Sequence, residues 1–199
     1  MSSLAQSDAT AGAPAASRKG RWGMACLILT ESALFLTFVV TYLYYTGKSL
    51  SGPYPVDVIE YPTVLFNSVC LISSSFTIVL AVRALARGRV ALFKVFWVLT
   101  MLLGLEFLVG TAIEWKGLIE QHELTLSSNL FGSTFYSLVG LHLAHVTLGV
   151  LVMLLITTLA LFGRIRREHA ERLEICSWYW HFVDAVWIVV FLTVYVYGV

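Results

Sequence analysis

His142-Leu143-Ala144-His145-Val146 and Trp178-Tyr179-Trp180-His181-Phe182-Val183-Asp184-Ala185-Val186-Trp187 each set ionisable side chains in the middle of an apolar run long enough to cross a membrane. A charged group at the centre of a bilayer costs about 2.5 to 3.5 kcal/mol on insertion scales, so such groups face protein rather than lipid. The two stretches thus imply both a helical membrane bundle and a polar interior, where function is to be sought.

Three further apolar runs lie upstream. Together the five cover Trp22 to Tyr45, Pro62 to Ala84, Ala91 to Ile113, Leu130 to Phe162 and Ile175 to Tyr197. About 20 residues span the hydrocarbon core, so each is long enough for a transmembrane helix. Strands of this length would leave backbone groups unpaired in lipid. The expected fold is all-α, a polytopic bundle of five transmembrane helices over 21–199, with the over-long fourth helix tilted or projecting. Residues 1–20 are rich in Ala, Ser and Gly, lack the apolar core of a secretory signal, and read as a disordered cytoplasmic tail.

The composition agrees. Of the 199 residues, 58% are hydrophobic and 13% charged, where soluble domains have about 45 to 50% and about 25%. A net charge of +1 gives no concentrated basic surface for nucleic acid. Cys26, Cys70 and Cys176 are odd in number and far apart, so they suggest neither disulfides nor a zinc site. Arg18, Lys19, Arg21, Arg83, Arg87, Arg89, Lys94, Arg164, Arg166, Arg167 and Arg172 fall on one side of the spans. Only Lys48 and Lys116 fall on the other, beside Asp57, Glu60, Glu120 and Glu123. By the positive-inside rule the N-terminus is cytoplasmic and the C-terminus outside, in the cell (inner) membrane. The odd span number argues against an inverted duplication of transporter type.

Within the membrane, Glu31 lies roughly 14 Å into the first span. His142 and His145, and likewise His181 and Asp184, are three residues apart and share a helix face; Glu106 enters the third span. Imidazole with carboxylate suits zinc, iron or copper. The alternative use is a hydrogen-bonded network of Glu31, His142, His145, His181 and Asp184 that locks helices together. The network is preferred, because no further ligand of characteristic spacing accompanies the pairs. Two b-type haems would need four axial His, and the spans hold three. A proton relay through the same groups is a third reading. Ser73-Ser74-Ser75, Gly104, Gly110, Gly132, Gly140 and Gly149 read as small residues that let helices approach. No Ser sits in a nucleophile-elbow motif.

From Trp22 to the C-terminus the chain also resembles subunit III of the haem-copper terminal oxidases, the cytochrome c and quinol oxidases. The resemblance rests on Gly23-Met24, Thr30-Glu31 with Phe35, Leu65-Phe66-Asn67 with Ser73-Ser74, Gly104 and Glu114-Trp115. It continues through Phe131-Gly132-Ser133-Thr134-Phe135-Tyr136, Gly140-Leu141-His142 with His145-Val146, and Tyr179-Trp180-His181-Phe182-Val183-Asp184 with Trp187. It implies an accessory, non-catalytic helical bundle with no metal or redox cofactor of its own. Such a bundle docks on catalytic subunit I, which carries haem and copper, and on other oxidase subunits. It also holds structural phospholipid and supports oxygen access and proton uptake. Glu31 matches the family's buried, carbodiimide-sensitive carboxylate.

Three departures qualify the transfer. Seven-helix members have two additional N-terminal helices, so a complete lipid cleft here would need helices from a partner. Thr111 stands where many members have Gln, and Glu106 is not a family hallmark. The rival readings are a related accessory subunit of nitric oxide reductase and a free-standing channel or transporter.

Overall fold

The computed structural model describes residues 15–48 and 61–197. Five helices in it are long and apolar enough to cross a membrane: α1 (Ala15–Tyr45), α2 (Tyr61–Ala86), α3 (Val90–His122), α4 (Leu130–Leu161) and α5 (Ala170–Phe191). A 3-10 turn, Arg167–His169, leads into α5, and a π-helical stretch, Leu192–Tyr197, continues it. The five-helix expectation holds, with longer elements than hydropathy outlines. Helix α1 starts before Trp22, at Ala15, so part of the segment expected as tail is helical; residues 1–14 lie outside the described residues, as do Asp57 and Glu60. Helix α3 runs on past Ile113 to His122 and, at 33 residues, is as over-long as the 32-residue α4. Polar side chains end an apolar run without ending a helix, because Glu, Lys and Gln are good helix formers.

The breaks are set locally. Between α2 and α3, Gly88 adopts φ 73°, and Arg89 N–H returns to Ala84 C=O at 2.9 Å. Gly163 does the same after α4 with φ 71°, with Arg164 N–H donating to Leu159 C=O at 3.0 Å. This is the left-handed helix end that glycine enters without steric cost. Asn129 caps α4 by accepting from Gly132 N–H at 2.7 Å. A side chain at Gly132 would strike the Thr125 carbonyl, so this glycine lets the α3–α4 connection lie on the start of α4.

Helices α2 to α5 close a ring: α2 packs on α3 and α5, α3 on α4, and α4 on α5. Helix α1 lies outside, on α4 and α5. In its most apolar window 11% of residues are buried, against 44% for the span containing α5, so α5 is the centre of the bundle and α1 its periphery. Lipid is as apolar as Leu, so packing and interhelical hydrogen bonds, more than hydrophobicity, hold such helices together. Trp180 supplies both. Its ring fills the space left by Gly104 of α3 and Gly149 of α4, and its Nε1–H donates to Ser74 Oγ of α2 at 2.7 Å. One side chain of α5 thereby ties down the other three ring helices.

Candidate functional site

Ser75, His181 and Asp184 meet where α2 crosses α5. Ser75 Oγ lies 3.0 Å from His181 Nδ1 and is hydrogen-bonded to Asp184 Oδ2. The i, i+3 spacing does put His181 and Asp184 on one face, and they share one partner. Read from the sequence, that partner belonged to a packing stripe of small residues; here Ser74 and Ser75 hold Trp180, His181 and Asp184. Its signal was the serine run itself, opposite three polar side chains on another span. Asp184 is buried and its Oδ1 has no partner among the described residues, so Ser75 is the one residue there that hydrogen-bonds its side chain. Asp184→Ala strands Ser75 and His181, at about 1 to 3 kcal/mol for each buried group left unpaired. The expected result is a lower thermal unfolding temperature of the chain in detergent, and an unchanged one would contradict it.

Glu31 and His145 form a second centre, between α1 and α4. His145 Nδ1 lies 2.8 Å from the Leu141 carbonyl and Nε2 lies 3.1 Å from Glu31 Oε2. A carbonyl only accepts, so Nδ1 carries the hydrogen. The Nε2 to Oε2 contact therefore contains one proton, held either by the carboxyl or by the imidazole, and in both cases the pair has no net charge. That explains how it is tolerated so deep in the membrane. Tyr179 of α5 adds a third helix, its hydroxyl donating to the His145 carbonyl at 3.1 Å.

His142 joins neither centre. It is fully buried, neither ring nitrogen has a hydrogen-bond partner among the described residues, and it is stacked on Trp187 at 4.9 Å with Phe107 edge-on at 5.8 Å. Three helical residues rotate a side chain by about 300°, which leaves His145 facing α1 and His142 facing the ring interior. The five residues expected as one network thus form two separate centres and a caged imidazole. Among the described residues no group of three or more His, Cys, Asp or Glu could hold a metal.

The other motif positions serve the frame. Trp187 Nε1–H donates to Ser68 Oγ at 3.0 Å. Asn67 is buried with its amide against Gly110. Glu114 accepts from Tyr195 O–H at 3.4 Å, and Trp115 packs edge-on against Tyr136. Of the two residues that depart from the family pattern, Thr111 turns its hydroxyl to the Phe107 carbonyl at 2.9 Å, and Glu106 has the Cys70 thiol within hydrogen-bonding reach.

Comparison with known proteins identifies the family. The family model for cytochrome c oxidase subunit III matches residues 6–199. The chain is similar to "Cytochrome c oxidase subunit 3" of Alkalihalophilus pseudofirmus, with 33% identity over 169 residues, 85% of this chain and 82% of that one. With the protein of the same name from Corynebacterium diphtheriae it shares 40% identity over 134 residues, 67% of this chain and 65% of the other. With "Probable quinol oxidase subunit 3" of Staphylococcus saprophyticus it shares 32% over 179 residues, 88% of each. A motif set running from Glu31 to Trp187, a five-helix membrane bundle and a family match over nearly the whole length lead to one conclusion: the chain belongs to the cytochrome c oxidase subunit III family.

Proposed function

We propose that the chain is an accessory, non-catalytic subunit that stabilises catalytic subunit I of a haem-copper oxidase and supports oxygen access and proton uptake. The observation that carries this reading is how the intramembrane ionisable groups are used. Glu31 with His145 fastens α1 to α4, Ser75 with His181 and Asp184 fastens α2 to α5, and His142 is sealed among aromatic rings. The first two sets tie pairs of helices together, and the third packs in the interior of the bundle, which is the use expected of a supporting subunit. Haem and copper belong, in this reading, to the partner subunit.

Structural phospholipid is part of the proposal. Between α1 and α5 runs an apolar groove of about 380 Å³, lined by Ser32, Phe35, Leu36, Val39, Phe182, Ala185, Val186 and Val189. Its lining suits an acyl chain. The concentration of basic residues at the end of the bundle that carries the α2–α3 and α4–α5 connections supports a cytoplasmic N-terminus and an outside C-terminus.

The test separates support from catalysis. The isolated chain is expected to show no haem absorbance and no stoichiometric metal, while the complex stripped of it keeps its haem spectrum and initial turnover but loses activity faster during sustained turnover. Stoichiometric metal in the isolated chain that disappears on His142→Ala or His181→Ala would overturn the reading.

A further inference from the structure

The Ser75 hydroxyl has one hydrogen and two contacts, His181 Nδ1 and Asp184 Oδ2. Two contacts need two hydrogens, so His181 or Asp184 supplies the second. If the carboxyl supplies it, Asp184 donates to Ser75, Ser75 donates to Nδ1, and the imidazole keeps its own hydrogen on Nε2. If a cationic imidazole supplies it to balance an ionised Asp184, Nε2 again carries a hydrogen. A third uncharged arrangement, with both partners donating to Ser75 Oγ, leaves the Ser75 hydrogen without an acceptor among the described residues. The remaining way to leave Nε2 bare, an ionised Asp184 beside a neutral imidazole, carries a net charge of −1, and no Lys or Arg occupies the middle of a described span to offset it. In the two arrangements that are uncharged and fully bonded, His181 Nε2–H is a donor.

That donor has no acceptor among the described residues. His181 is half-buried; its Nε2 makes no hydrogen bond among the described residues and is not one of the fully enclosed polar atoms, so it reaches the outer surface of the bundle. Its depth excludes lipid as the acceptor. Ser75 lies roughly 21 Å along α2 from Tyr61 and roughly 17 Å from Ala86. This is near the midplane of a hydrocarbon core about 30 Å thick, where acyl chains offer no acceptor. A turn or two away on the same two helices, Ile72 and Ile188 are 37% and 45% exposed. The surface is an apolar face with one hydrogen-bond donor in it.

We propose that His181 Nε2–H anchors a docking surface on the outer face of α2 and α5. Its occupant is a transmembrane helix of another oxidase subunit that presents a hydrogen-bond acceptor at mid-membrane depth. The inference rests on the accessory-subunit reading and names the residue through which the partner is gripped. Ser75 and Asp184 are positioning residues: they fix the ring so that its free nitrogen points outward.

The test uses the whole complex purified from membranes in mild detergent. His181→Leu removes the donor and is expected to lower retention of this chain roughly tenfold, the cost of about one buried hydrogen bond. His181→Gln can accept from Ser75 with its oxygen and donate outward with its nitrogen, so it is expected to restore most of the retention. A photo-cross-linking residue at Ile188, in an otherwise unchanged chain, is expected to capture another oxidase subunit, and it decides the matter if His181→Leu fails to fold. Wild-type retention of a folded His181→Leu chain, or cross-links only to lipid or to a second copy of this chain, would overturn the proposal. A wild-type chain that purifies with no oxidase subunit would instead overturn the accessory reading, and this inference with it.

Discussion

Trp180→Ala is expected to destabilise the bundle more than any other single truncation, by about 3 to 5 kcal/mol, the range for deleting a large buried aromatic side chain. The ring is 1% exposed, wedged between Gly104 and Gly149, with its N–H on Ser74. Removing it opens a cavity where α3, α4 and α5 meet and deletes the hydrogen bond to α2. The converse experiment is as informative. A Cβ built at Gly149 would lie 2.6 Å from a Trp180 ring carbon, and one at Gly104 would lie 2.7 Å from another. These are rigid aromatic atoms, so Gly149→Leu forces the ring or the helix to move, at about 1 to 3 kcal/mol or more. Because both changes act on one contact, Gly149→Leu combined with Trp180→Ala should cost less than the sum of the two. Thermal unfolding in detergent measures all three; strict additivity would show that the ring does not sit on these glycines.

Glu31→Ala is the second large effect. Among the described residues it removes the only side-chain hydrogen bond between α1 and another helix inside the membrane, and it strands His145 Nε2 at about 1 to 3 kcal/mol. Glu31→Gln keeps the shape and can donate to Nε2 from its amide. With the pair acting as a fastening, Gln should preserve assembly, oxygen reduction and proton pumping, while Ala loosens α1, the helix with the least buried surface. A pair that instead passes its proton onward would suffer equally from both changes. Proton uptake and sustained turnover of the two variants in fully assembled oxidase separate the cases, and equal, large losses would sink the fastening account.

The five helices were legible because a run of apolar residues long enough to span lipid has few other solutions. Their ends were less so: Lys116, Glu120 and Gln121 mark where the apolar run stops, not where α3 stops. In the site, the spacing of His181 and Asp184 put them on one helix face, but periodicity along α5 cannot say which residue of α2 lies opposite. Ser75 therefore required the packing of α2 on α5. The same limit applies to His142 and His145. Their spacing suggested one use, and only the position of α1, placed outside the ring against α4 and α5, shows that one imidazole faces Glu31 and the other faces Trp187. Trp180, read as a motif residue, gained its meaning from two glycines on other helices that no local pattern connects to it.

The most direct test of the accessory-subunit account is to purify the tagged chain from its native membrane in mild detergent, record the haem spectrum and identify the co-eluting chains. The account predicts stoichiometric recovery of a haem-copper catalytic subunit, with the haem leaving alongside that subunit when the two are dissociated. Recovery of this chain alone, with no haem and no oxidase subunit under conditions that keep the oxidase active, would contradict it.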